Sequence, residues 1–137
     1  MFKKIIVGGT FDGLHEGHRN LLRTAFENAE SVAIGLTGDD FAKRFRTKEV
    51  QPYAKRKGSL DDFVRQFRKG YAVFEISDSY GIATLDPDAD CIVVSEETLL
   101  RAEEINTIRF KKKLAKLTII VIPLVLGRDG RPLSSGG

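Results

Sequence analysis

The sequence predicts an α/β fold, a doubly wound sandwich of five parallel strands with helices on both faces. Three observations predict it. Short apolar runs such as Ile5-Ile6-Val7 and Ile92-Val93-Val94 alternate along the chain with stretches whose apolar residues recur every three or four positions. Strands separated by helices pair in parallel, and their crossovers cover both faces of the sheet. A glycine-rich segment, Gly8-Gly9-Thr10-Phe11-Asp12, joins the first strand to the first helix. Open sheets of this kind bind ligands there, beyond the carboxyl ends of their strands.

Residues 3–7 make the first strand. A helix over 19–29 follows, because Leu21, Leu22, Ala25, Phe26 and Ala29 are spaced to share one face. Residues 31–36 form the second strand; Gly38-Asp39-Asp40 ends it and caps a short helix through Phe45. From Arg46 to Lys57 the chain is polar and carries Pro52, a loop long enough to suggest function. Ser59 and Asp62 offer a capping box for the next helix. In it Leu60, Phe63, Val64 and Phe67 keep the helical spacing, and Gly70 is the stop. Residues 71–77 and 91–95 are the third and fourth strands. A helix spans 100–117, with Ala102, Ile105 and Ile108 on one side, and residues 118–126 make the fifth strand. No repeat, linker or low-complexity tract divides the chain, so residues 1–137 are expected to form one domain.

Composition narrows the function classes. With 42% hydrophobic and 30% charged residues, the 137-residue chain has the balance of a soluble globular domain with a single core. The net charge of +3 is mild. The clusters Lys43-Arg44-Phe45-Arg46, Lys55-Arg56-Lys57 and Lys111-Lys112-Lys113 lack aromatics interleaved on a sheet face, so nucleic acid is not an expected partner. The apolar run over 118–127 is too short to span a bilayer and contains Pro123. The N-terminus has no apolar signal region, and the single cysteine, Cys91, excludes an internal disulfide. A cytoplasmic location with no membrane partner is therefore expected. No heptad pattern or long apolar stripe points to self-association; the oligomeric state stays open, with a monomer favoured.

The chemistry-bearing residues concentrate near the N-terminus. His15 and His18, the only histidines, fall with the Thr10 hydroxyl at the mouth of a helix, where backbone N–H groups and the helix dipole attract phosphate. Gly8 and Gly9 allow a phosphate or ribose to approach the backbone closely. Zinc is the rival reading of two histidines three residues apart, but it normally needs third and fourth ligands, and no Cys-x-x-Cys is present. No Ser-His-Asp or Cys-His nucleophile arrangement can be assembled from the motif.

The run Gly9-Thr10-Phe11-Asp12-Gly13-Leu14-His15-Glu16-Gly17-His18 resembles the G-T-F-D-x-x-H-x-G-H signature of the HxGH nucleotidyltransferase superfamily. More narrowly, Ile92-Val93-Val94-Ser95-Glu96-Glu97-Thr98 with Ala102-Glu103-Glu104-Ile105-Asn106 is similar to archaeal-type phosphopantetheine adenylyltransferases, and the likeness runs from Phe2 to about Ser135. The resemblance implies a Rossmann-like fold and transfer of AMP from ATP, with Mg2+, to 4′-phosphopantetheine, giving dephospho-coenzyme A and pyrophosphate. It implies that His18 stabilises the transition state at the α-phosphorus, that His15 binds the ATP phosphates, and that Thr10 orients the incoming phosphate.

Further binding positions are expected around this motif. The end of the fourth strand, with Ser95, Glu97 and Thr98, can converge with Gly8, Gly9 and Phe11 on one pocket, and Asn106 on the next helix is a candidate nucleotide contact. Lys48 matches a basic loop residue that contacts the acceptor phosphate, with Arg56 and Lys43 as competing candidates. Ser134 and Ser135 begin the family's triphosphate-binding motif, whose cation and final helix are expected to be missing. Two alternatives stay open: the same chemistry on glycerol phosphate, nicotinamide mononucleotide or flavin mononucleotide, and a catalytically weak nucleotide-binding module.

Overall fold

A computed structural model describes residues 1–44 and 49–123. Five strands, β1 (Phe2–Gly9), β2 (Ala29–Thr37), β3 (Gly70–Ile76), β4 (Cys91–Ser95) and β5 (Thr118–Ile122), form one sheet in the order β3-β2-β1-β4-β5. Every pairing is parallel, as the alternation of elements predicts. The interior strands are those with unbroken apolar runs. Ile5, Ile6 and Val7, residues 32–37 and residues 91–94 are buried, because each has a covered face on both sides. The edge strands β3 and β5 are only partly buried.

Two layers provide that cover. On one face lie α1 (Glu16–Asn28) and α3 (Tyr53–Val64), whose Leu22, Phe26, Leu60 and Val64 belong to one core with Ile5, Val7, Val32 and Ile34. On the other lie α4 (Leu99–Lys111) and the 3-10 turn Gly81–Thr84. Here Ala102 and Ile105 pack with Ile6, Ala33, Ile92 and Val94. The short α2 (Asp39–Arg44) follows the exit of β2.

Order across the sheet reverses at β1, whose neighbours are β2 and β4. β1 and β2 stay in register from Phe2↔Ala29 to Gly9↔Leu36. β1 and β4 pair only at Ile5↔Cys91 and Ile6↔Ile92. Beyond Ile6 the two strands part, and a crevice opens between their carboxyl ends. That is the switch point at which open α/β sheets hold ligands.

Several element boundaries differ from the sequence expectation, each for an identifiable physical reason. α1 begins three residues before the predicted start, because a histidine occupies its N-cap. The predicted loop to Lys57 and the Ser59 capping box are both overturned: α3 starts at Tyr53, behind Pro52, and Ser59 lies within it. A first-turn N–H that a local cap would satisfy, that of Tyr53, donates instead to Asp39 Oδ1 at 2.9 Å. Gly70 is the first residue of β3 and does not stop the helix; a 3-10 turn, Arg65–Phe67, ends on Arg68 in the left-handed region (φ 54°). α4 ends at Lys111, six residues before the predicted end, and Lys113 takes the left-handed conformation (φ 64°). The last residues of the predicted fifth strand, from 124 onward, lie outside the described residues.

Candidate active site

The crevice widens into a cavity of about 680 Å³. Its floor is the loop after β1. Thr10 and Phe11 are almost fully buried, and Phe11 sits at φ 48°, a left-handed conformation unusual for an aromatic residue. Burial of the Phe11 ring, 5.3 Å from the His18 ring, holds that turn closed. A Cβ on Gly9 would come within 3.3 Å of the Phe11 ring, so glycine keeps this approach open. Asp12 Oδ1 accepts from the Gln51 N–H at 3.3 Å and ties the loop to the chain before α3.

His15 and His18 form a reciprocal cap on α1. His15 Nδ1 accepts from the backbone N–H of His18 at 3.3 Å, and His18 Nδ1 accepts from that of His15 at 3.4 Å. The rings stack with centroids 3.8 Å apart and planes 14° from parallel. An Nδ1 that accepts carries no proton, so each neutral ring holds its proton on Nε2. His15 Nε2 is buried with no hydrogen-bond partner. Burial, then the charge of Arg19, push the His15 pKa below its ordinary value, against a smaller backbone contribution that raises it. The site therefore presents a neutral N–H donor at the amino end of a thirteen-residue helix, an arrangement suited to an anion.

The opposite wall comes from β4 and α4. Ser95 and Thr98 fasten the turn between them: the Ser95 N–H donates to Thr98 Oγ1 at 3.2 Å, and Thr98 Oγ1 donates to the Ser95 carbonyl at 3.3 Å. Arg101 lines the cavity one turn further on. Its guanidinium lies 5.4 Å from the Tyr80 ring centroid, and its buried Nε has no hydrogen-bond partner, with Glu104 Oε2 at 3.9 Å. The Tyr80 hydroxyl donates to the same Glu104 oxygen at 2.8 Å.

Nine of the expected positions converge here: Gly8, Gly9, Thr10, Phe11, His15, His18, Ser95, Glu97 and Thr98 all line the one cavity. Two expectations are corrected. Arg56 does not reach the cavity; it is fully buried, and its guanidinium donates to Gln51 O, Thr10 O, Thr37 Oγ1 and Asp39 Oδ1 at 2.8–3.3 Å. Asn106 is also structural: its amide donates to Leu117 O at 3.0 Å and accepts from Leu117 N at 2.8 Å, clipping α4 to the start of β5. Lys43 is exposed on α2, and Lys48, Ser134 and Ser135 lie outside the described residues. Sequence reasoning missed Arg101, whose signal was its place one turn into the helix that follows the fourth strand. It also missed Thr37, which lines the cavity from the end of β2.

Fold and site together define an α/β protein with an open cavity, lined by a histidine pair at a helix amino end, at the switch point of a parallel sheet. The cytidylyltransferase-like family model matches residues 6–135. A phosphopantetheine adenylyltransferase of Methanopyrus kandleri is 43% identical over 138 residues, covering 98% of this chain and 87% of the relative. That of Pyrococcus abyssi is 43% identical over 137 residues, with the same coverage. A crystal structure of an Archaeoglobus fulgidus protein superposes with a TM-score of 0.78 at 31% identity, covering 87% of this chain and 88% of that one. The chain belongs to the cytidylyltransferase-like family, among its phosphopantetheine adenylyltransferases, and is a nucleotidyltransferase.

Proposed function

We propose that the cavity binds ATP and 4′-phosphopantetheine together and transfers AMP between them, a step of coenzyme A biosynthesis. A terminal phosphate oxygen of the acceptor attacks the α-phosphorus of ATP. The bond between that phosphorus and the bridging oxygen to the β-phosphate breaks, and pyrophosphate leaves with the electron pair. The attacking oxygen is already anionic, so no general base is needed. What the protein supplies is alignment and stabilisation of charge gathering on the phosphoryl oxygens. In this reading His18 Nε2 faces the α-phosphate, His15 Nε2–H donates to the neighbouring phosphates, and the Thr10 hydroxyl holds the acceptor phosphate. The observation that carries the reading is the buried, unpartnered His15 Nε2 in a cavity at a helix amino end. Arg101 adds a cation on the opposite wall.

Among the described residues no group of three or more His, Cys, Asp or Glu side chains is placed to hold a metal ion. Mg2+ fits here as an ion carried by the triphosphate and water, where it would offset the negative charge of the phosphates. Among the described residues no helix is long and apolar enough to cross a membrane. Pyrophosphate release from ATP and Mg2+ with a panel of acceptors tests the assignment. Release is expected with 4′-phosphopantetheine and not with glycerol phosphate, nicotinamide mononucleotide or flavin mononucleotide. A preference for one of the others reassigns the acceptor, and ATP binding without release from any of them rejects the enzymatic reading.

A further inference from the structure

Beneath the cavity floor a buried charge is connected to the Thr10 hydroxyl. Arg56 enters from α3 with no exposed surface, and its Nη1 donates both to the Thr10 carbonyl at 3.0 Å and to Thr37 Oγ1 at 3.3 Å. Thr37 Oγ1 then donates to Thr10 Oγ1 at 3.0 Å. All three groups are buried, and only the two threonines line the cavity. A guanidinium has hydrogen-bond donors and no acceptor, so it can take only a lone pair from Thr37. The Thr37 proton points onward to Thr10, whose oxygen accepts it. The Thr10 proton is thereby left to point into the cavity.

We infer that Thr37 is a positioning residue for the reaction: with Arg56 behind it, it fixes the Thr10 hydroxyl as a hydrogen-bond donor aimed at the acceptor phosphate. This rests on the assignment of that phosphate to Thr10 in the proposed function. A hydroxyl is otherwise ambivalent, offering a lone pair as readily as a proton, and a lone pair aimed at a phosphate oxygen is repulsive. A one-way relay anchored on a cation removes the ambivalence before substrate arrives. Such preorganisation is where enzymes gain most of their charge stabilisation.

Arg56 cannot serve as the probe, because removing it leaves several buried groups unpaired and threatens the fold. Thr37→Val keeps the side-chain shape and deletes the relay, whereas Thr37→Ser keeps the hydroxyl. Calorimetric titration with 4′-phosphopantetheine and with pantetheine, which lacks the phosphate, separates aim from packing. Thr37→Val is expected to weaken the phosphorylated ligand about tenfold, the scale of one charge-assisted hydrogen bond, and pantetheine less than about twofold. Thr37→Ser is expected to restore wild-type binding of the phosphorylated ligand, and the KM for ATP is expected to stay unchanged in both variants. Equal losses on the two ligands, equal behaviour of Val and Ser, or no preference of the wild type for the phosphorylated ligand would overturn the relay. Wild-type pyrophosphate release, measured alongside, judges the reaction itself: its absence rejects the proposed transfer while the titrations still decide the relay.

Discussion

His15 and His18 show how two side chains can set each other's chemistry. Each ring fills the other's backbone cap, so the proton of each neutral ring is fixed on Nε2. Protonating His15 on Nδ1 would break that cap, and burial with the nearby Arg19 charge already holds its pKa below 6.5. The unfolded chain therefore takes up this proton before the folded one does. Stability is whole above about pH 6.5 and falls as the pH drops from there through the lower folded pKa. Urea unfolding of the ligand-free protein is expected to show this loss between about pH 7 and pH 5, and a His15→Gln variant to lack most of it. If the two respond alike to pH, His15 is not the group responsible. The motif itself was legible in the sequence, because its residues are contiguous. The tautomers and the Thr37 contact were not. Thr37 meets Thr10 only because β1 and β2 pair with Gly9 opposite Leu36, which carries the next residues of the two strands together.

Among the elements, α4 is anchored by two polar side chains, Asn106, which the sequence placed among the substrate contacts, and Arg109. Asn106 bonds both backbone groups of Leu117, and the Arg109 guanidinium donates to the carbonyls of Ala83, Asp86 and Ala115 at 2.7–2.9 Å. The helix that carries Arg101 is thus fixed at its far end to β5 and to the connection that carries Tyr80. Asn106→Ala is expected to destabilise the fold by about 1–3 kcal/mol in urea unfolding, the cost of leaving buried groups unsatisfied. ATP affinity should not change, since Asn106 is outside the cavity; a selective loss of ATP binding would return it to the site. The strand and helix order was readable from periodicity. The ends of α3 and α4 were not, because Asp39 supplies a first-turn acceptor for α3 from another element and Lys113 takes a left-handed turn without glycine.

Across the whole molecule, the central strands are sealed on both faces and the cavity opens where β1 and β4 part. Cys91, the only cysteine, begins β4 with no exposed surface, and burial pushes its thiol pKa up to about 11. Alkylation by iodoacetamide at about pH 8 is therefore expected to follow global unfolding, rising with urea along the same transition as circular dichroism. Rapid labelling of the native protein would mean that the β1–β4 seam opens on its own. In the proposed reaction the histidine pair at that seam stabilises adenylyl transfer. The initial rate of pyrophosphate release from ATP and 4′-phosphopantetheine, compared between the protein and His18→Ala, tests it most directly. A rate about 10²–10³ lower, with an unchanged circular dichroism spectrum, is the predicted result. A folded His18→Ala variant that turns over at close to the wild-type rate would contradict it.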